Sequence, residues 1–299
     1  MKREEYHQLI KPELIKTVSG LSFIARVIVD GYLSGVQHSN SVGAGMEFNQ
    51  YRTYEPGDDL RLLDWKMLAR SGRYYVKQSE IETNIAVKFI LDSSKSMLHK
   101  EDDLSKMDFA RVLIASLGYL SKNQGDAVGL FALNDQQLFS MYPKVQKQYF
   151  NRLLQGLIDI ENKGKWPKDL NATRQLHDRS HKELIFFITD FYEQEEEITS
   201  FVKRLKTPRN EVVVLHIMGK KELEFDYKGT LTFEDLETGS RLQVDAKAAK
   251  KEYFLALDEM MKRVKNSLLA NDIGYHLFRL DEHIGEAIQF FLKKRNKLI

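Results

Sequence analysis

Residues 85–97 read IAVKFILDSSKSM, and their order decides the fold. An apolar run from Ile85 to Leu91 suits a buried strand and delivers a carboxylate at Asp92. Two hydroxyls follow at spacing two, Ser94 and Ser96. That order sets three hard oxygen donors at the C-terminal end of a strand, where open α/β sheets hold their ligands. Such donors suit magnesium, manganese or calcium. Neutral hydroxyls leave a bound cation strongly electrophilic, so it gains most from a carboxylate supplied from outside. The stretch therefore predicts a divalent-metal site that recognises another protein, rather than a catalytic pocket.

Outward from this stretch, apolar runs alternate with amphipathic helical patterns. Strands are expected at 127–133 (AVGLFAL), 183–189 (ELIFFIT), 211–218 (EVVVLHIM) and 274–280 (GYHLFRL). Helices are expected at 106–122, 144–160, 195–206, 246–269 and 283–295, with Phe109, Val112, Leu113, Leu117 and Leu120 on one face of the first. This alternation predicts βαβ units in a Rossmann-like, mostly parallel sheet with helices on both faces. LIFFITD supplies a second strand-end acid, Asp190. Neighbouring parallel strands would bring it to the same edge as Asp92. Residues 221–245 alternate apolar and polar side chains around Thr238-Gly239 and predict an inserted β-hairpin.

With 299 residues, 42% hydrophobic and 29% charged, the chain can bury a sizeable core. Lys plus Arg (45) nearly balance Asp plus Glu (43), which argues against a nucleic acid partner. The absence of cysteine excludes disulfides, a thiol nucleophile and thiolate metal ligands. No apolar stretch reaches the roughly 18–20 residues that span a bilayer, and the charged start MKREEYHQLIKPELIK lacks a signal-peptide pattern. A cytoplasmic protein without membrane insertion is expected. There is no G-x-x-x-x-G-K-[ST] loop, no G-x-S-x-G elbow and no H-E-x-x-H zinc pattern.

Upstream, residues 8–17 suggest a short helix, and Gly20, Gly31 and Gly35 read as breaks in the stretch after it. Residues 40–84 are polar, aromatic and poor in helical period, which predicts short strands and irregular structure. Glu47, Arg52, Tyr54, Asp58, Asp59, Arg61, Asp64, Trp65, Lys66 and Arg70 crowd there. Interleaved charges and aromatics suit a structural clamp of ion pairs and hydrogen bonds, or a partner-docking face. Asp58, Asp59 and Asp64 could instead hold a second metal.

Two resemblances join these observations. DSSKSM after a hydrophobic strand resembles the metal-ion-dependent adhesion motif of von Willebrand factor A domains. The segment 43–84, GAGMEFNQYRTYEPGDDLRLLDWKMLARSGRYYVKQSEIETN, resembles the signature of the bacterial domain-of-unknown-function family numbered fifty-eight. The likeness covers nearly the whole chain, most strongly 31–97 and 183–192. It implies an N-terminal appendage over 1–84 and a von Willebrand A-like domain over 85–299. It also implies a non-catalytic role in partnership with a MoxR-type AAA+ ATPase or its client in protein assembly or maturation. Asp92, Ser94, Ser96 and Asp190 match the adhesion motif, with Mg2+, Mn2+ or Ca2+ as the implied ion. The motif also wants a loop threonine. Lys168 falls at that place, with Asp169 and Thr173 as substitutes nearby. Two other functions stay open: a metal-dependent hydrolase using Asp58, Asp59 and Asp64 beside Asp92, and a scaffold whose metal site has decayed.

Overall fold

The computed structural model describes residues 10–39, 50–53, 65–78, 85–146, 148–168, 176, 182–193 and 195–296. The chain divides into two compact units, Met1–Tyr32 with Ile85–Ile299, and Leu33–Asn84. The first 32 residues thus group with the sheet, and the smaller unit runs from Leu33 to Asn84.

In chain order the helices α1 (Pro12–Ile15) and α2 (Val18–Ser39) come first. The strands β1 (Gln50–Thr53) and β2 (Tyr75–Gln78) flank helix α3 (Trp65–Ser71). They pair antiparallel, Arg52 opposite Val76. Then follow β3 (Ala86–Asp92), a 3-10 turn (Lys95–Leu98), and the short strands β4 (Lys100–Glu101) and β5 (Leu104–Ser105). Helix α4 (Lys106–Asn123), β6 (Ala127–Leu133), β7 (Leu138–Lys144), α5 (Tyr149–Asp159) and β8 (Glu183–Thr189) continue the chain. The remainder is α6 (Glu197–Leu205), β9 (Asn210–Met218), α7 (Lys220–Glu224), β10 (Thr230–Glu234), β11 (Arg241–Asp245), α8 (Ala246–Leu269), β12 (Gly274–Arg279) and α9 (Ile284–Asn296).

Six strands form one sheet in the order β12-β9-β8-β3-β6-β7. All neighbours run parallel except the edge pair β6–β7. This is the doubly wound order, and the chain reverses its direction of travel across the sheet between β3 and β8. One face carries Ile90, Phe131, Ile185, Phe187, Val212 and Val214, packed with Phe201 and Leu205 of α6 and Leu268 of α8. On the other face Phe89 stacks on Phe186 at 5.6 Å, and Phe186 meets Phe291 of α9 at 6.2 Å. Helices therefore cover both faces, as the alternating runs require. The inserted hairpin is β10–β11, with Thr230 opposite Asp245.

Three expectations need correction. Gly20 does not break the chain, nor do Gly31 and Gly35: Val18–Ser39 is a single helix. Leu21, Ile24, Ala25, Ile28 and Val29 are buried at helical spacing, and that burial outweighs the roughly 1 kcal/mol a helical glycine costs. Gly20 has a packing reason of its own, since a Cβ there would lie 2.3 Å from the Leu14 carbonyl oxygen. The expected helix at 8–17 shrinks to Pro12–Ile15 among its described residues. The helix expected from 144 begins at Tyr149, and Lys144 instead ends the antiparallel edge strand β7. Its half-exposed alternation hides it, and Pro143 is tolerated because the strand lies at an edge.

Candidate functional site

The register Leu91↔Ile188 between β3 and β8 sets Asp92 beside Thr189 at the C-terminal edge of the sheet. Asp92 and Thr189 are buried, and the Thr189 hydroxyl donates to Asp92 Oδ2 at 2.8 Å. The Ser94 N–H donates to Asp92 Oδ1 at 2.9 Å, curling the chain back over the strand tip. Ser94 Oγ and Ser96 Oγ are 2.9 Å apart, and the Ser96 hydroxyl donates to Asp190 Oδ1 at 3.1 Å. Asp92, Ser94, Ser96 and Asp190 therefore converge, although 94 residues separate Ser96 from Asp190. The loop is held from behind. The Lys95 N–H donates to the Gly164 carbonyl at 3.1 Å, and the Asn162 side chain donates to the Ser94 carbonyl at 3.0 Å.

Further groups belong to the site, and no local sequence pattern marks them. Lys106, buried at the start of α4, donates to Asp190 Oδ2 at 3.0 Å and to Glu222 Oε1 at 2.8 Å. His216 of β9 contacts the Asp190 carbonyl through Nε2 at 3.1 Å and the Tyr275 hydroxyl through Nδ1 at 2.7 Å. Glu237, in the turn of the β10–β11 hairpin, comes near enough for the Asp92 and Asp190 charges to act on it, and its Oε1 is buried without a hydrogen-bond partner among the described residues. A cavity of about 620 Å3 adjoins the site, between Ser96, Lys106 and Asp190 on one side and Phe225, Phe233 and Tyr253 on the other.

The electrostatics separate the two strand-end acids. Burial, then the neighbouring Asp190 charge, push Asp92 up to about 7, against the hydrogen bonds from Ser94 and Thr189. Burial also opposes ionisation of Asp190. The Lys106 charge and hydrogen bond outweigh it and, with the Tyr192 N–H and Ser96 hydroxyl, hold Asp190 below its ordinary value. Burial works against the Lys106 ammonium too, but Asp190 and Glu222 overcome it and raise its pKa. Glu237 is pushed up to about 8 by burial and then by the charges of Asp92, Asp190 and Asp235, with the Ser96 hydroxyl acting in the opposite sense. Burial pulls His216 down to about 4, so it is neutral at pH 7.

The donors at the strand tip are all oxygen, which is the chemistry of a hard divalent cation. Carboxylates alone do not make the site: among the described residues no three His, Cys, Asp or Glu side chains group closely enough to hold a metal. A cation here would lean on the Ser94 and Ser96 hydroxyls. The site also differs from the expected one in carrying a resident ammonium, Lys106, on Asp190 Oδ2. Lys168 is not in it; the exposed Lys168 lies 3.7 Å from Glu195 on the surface. Asp169 and Thr173 lie outside the described residues, as do Glu47, Tyr54, Asp58, Asp59, Arg61 and Asp64. Arg52 lies on β1, and Trp65 and Arg70 are exposed on α3.

Fold and site together define a doubly wound α/β domain whose polar constellation sits at the switch point of the sheet. The chain belongs to the DUF58 family, described as proteins of unknown function, whose model matches residues 50–262. An uncharacterised protein of Mycobacterium tuberculosis is 23% identical over 235 residues, covering 76% of this chain and 72% of its own length. Among solved structures, the hypothetical protein BatB of Bacteroides thetaiotaomicron aligns with a TM-score of 0.46 at 16% identity, covering 72% of this chain and all of its own. A von Willebrand factor type A protein of Catenulispora acidiphila aligns at 0.39 and 10% identity, over 70% of this chain and 42% of its own. Among the described residues no helix is long and apolar enough to cross a membrane.

Proposed function

We propose that this protein is a cytoplasmic, non-enzymatic interaction module that binds a carboxylate of a partner protein through a divalent cation at Asp92, Ser94, Ser96 and Asp190. The observation that carries the reading is the convergence of two strand-end acids and two hydroxyls at the sheet's switch point, joined by the 3.1 Å bond between Ser96 and Asp190. Its donors suit Mg2+ or Mn2+, with Ca2+ as the larger alternative. Such a cation would supply a Lewis-acidic position for an incoming carboxylate. The chain's own groups do the rest: Thr189 and the Ser94 N–H orient Asp92, and Lys106 fixes Asp190 by occupying Oδ2. The partner class that the family resemblance implies is a MoxR-type AAA+ ATPase or its client.

Affinity capture from native lysate tests this, comparing wild type with Asp92→Ala, each with and without chelator. Capture of a MoxR-type ATPase or its client that is lost both with chelator and in a folded Asp92→Ala variant supports the proposal. Capture indifferent to both overturns the cation-dependent reading. The competing hydrolase would require turnover that disappears on Asp58→Ala.

A further inference from the structure

The hairpin turn that brings Glu237 to the site is built with care. Asp235 organises it: its Oδ1 accepts from the N–H groups of Glu237 at 2.8 Å and Thr238 at 3.3 Å, and its Oδ2 accepts from the Thr238 hydroxyl at 2.7 Å. The Gly239 N–H closes the turn on the Asp235 carbonyl at 2.7 Å, with Gly239 in the left-handed region at φ 74°. Asp235 and Tyr192 line the same cavity as Ser96 and Asp190, so the turn lies against the loop just past Asp190. Glu237 lies near enough to Asp92 and Asp190 for their charges to act on it, and its Oε1 is buried with no hydrogen-bond partner among the described residues. A buried carboxylate oxygen left without a partner is costly, and nothing in local turn geometry asks for it. The hairpin itself is a two-stranded ribbon that extends no larger sheet, a marginal structure on its own. It holds on through Phe233, which lies 5.2 Å from Tyr227 and 6.2 Å from Phe225, while Leu236 and Leu242 are exposed.

We propose that Glu237 is an internal stand-in for the partner's carboxylate: the hairpin turn closes the strand-end site, and a partner enters by displacing it. The inference rests on the cation-dependent reading above and adds a regulatory element to it. Glu237 comes to the site from outside the sheet, on the hairpin turn, near enough to feel the Asp92 and Asp190 charges, although among the described residues no three acids there group tightly enough to hold a metal without the hydroxyls. That is the position a visiting carboxylate would take. Displacement lifts the turn from the cavity it lines with Tyr192, while the aromatic contacts at Phe233 can stay.

Terbium(III), a hard luminescent cation, reads this directly, because its emission lifetimes in H2O and D2O count the waters bound to it. Wild type, Glu237→Ala and Asp92→Ala are compared, with hydrogen exchange over residues 230–245 as a second readout. The expected result is about one more bound water in Glu237→Ala than in wild type, removed by adding acetate in the variant only. Terbium should slow exchange in 230–245 in wild type and not in Glu237→Ala. Equal water counts and equal protection, with binding abolished by Asp92→Ala, overturn the stand-in and leave the cation site intact. Wild type that binds no terbium overturns both.

Discussion

The Lys106 ammonium and the Asp190 carboxylate are 3.0 Å apart, with both side chains almost wholly buried. Lys106 takes Oδ2, and the Ser96 hydroxyl takes Oδ1, so Asp190 turns a single oxygen toward the hydroxyl pair. Removing one member of such a pair strands the other as a buried charge, which typically costs about 3–5 kcal/mol. Lys106→Met should therefore lower the urea unfolding free energy by about that amount. The double variant Lys106→Met/Asp190→Asn should recover much of it. A Lys106→Met protein as stable as wild type would show that the pair does not form.

Stability should respond to pH in two opposing ways. His216 is held near 4 in the fold against an ordinary 6.5. Its contribution is complete above pH 6.5 and is lost as pH falls through 4. Asp92 is raised from 3.8 to about 7. Its contribution is complete below pH 3.8 and is lost as pH rises through 7. Urea midpoints measured in chelator from pH 4 to 8 should thus lose their acid-side slope in His216→Gln and their neutral-side slope in Asp92→Asn. Identical profiles for wild type and both variants would contradict these environments.

Much of this was legible in the sequence, for physical reasons. The runs at 127–133 and 183–189 match their strands residue for residue, because central parallel strands are apolar on both faces and end abruptly at polar residues. Asp92 and Asp190 could be paired before any coordinates, since each follows such a run and parallel neighbours share an edge. Lys106 could not: it lies 84 residues from Asp190 and opens an ordinary amphipathic helix. Glu237 looks like any acid in a polar turn, and only the folded hairpin brings it near enough to feel the Asp92 and Asp190 charges. The edge strand β7 escaped because its alternation, interrupted by Pro143, resembles a loop leading into a helix.

A second buried ion pair tests the sheet itself. Lys88, in the middle of β3, bonds to Glu183 at the start of β8 and donates to the Leu176 carbonyl at 2.7 Å. It lies within a strand that is buried along its whole length. Lys88→Met should cost about 3–5 kcal/mol, because the ammonium facing a buried carboxylate is gone. Lys88→Met/Glu183→Leu should be markedly more stable than Lys88→Met alone, since an apolar pair of similar volume carries no desolvation penalty. Denaturant midpoints at constant slope decide it, and a double variant weaker than the single one would refute the argument.

Gly164 connects backbone conformation to the site. It sits at φ 53°, and a Cβ there would fall 1.7 Å from Asp135 Oδ1, an oxygen that already accepts from the Lys165 N–H at 3.2 Å. Its carbonyl receives the Lys95 N–H, in the loop that carries Ser94 and Ser96. Gly164→Ala should cost about 1–3 kcal/mol from the strained backbone, with the displaced Asp135 adding to it. It should also weaken Mn2+ binding several-fold, as about tenfold or more is typical when groups supporting metal ligands are disturbed. Gly72→Ala provides the control: φ is 68° there, but among the described residues no atom lies within 4 Å of its Cβ position, so strain should appear without any change in Mn2+ titration. Calorimetric Mn2+ affinity that is equal in Gly164→Ala and wild type would show that the loop positions its hydroxyls independently of the Lys95–Gly164 bond.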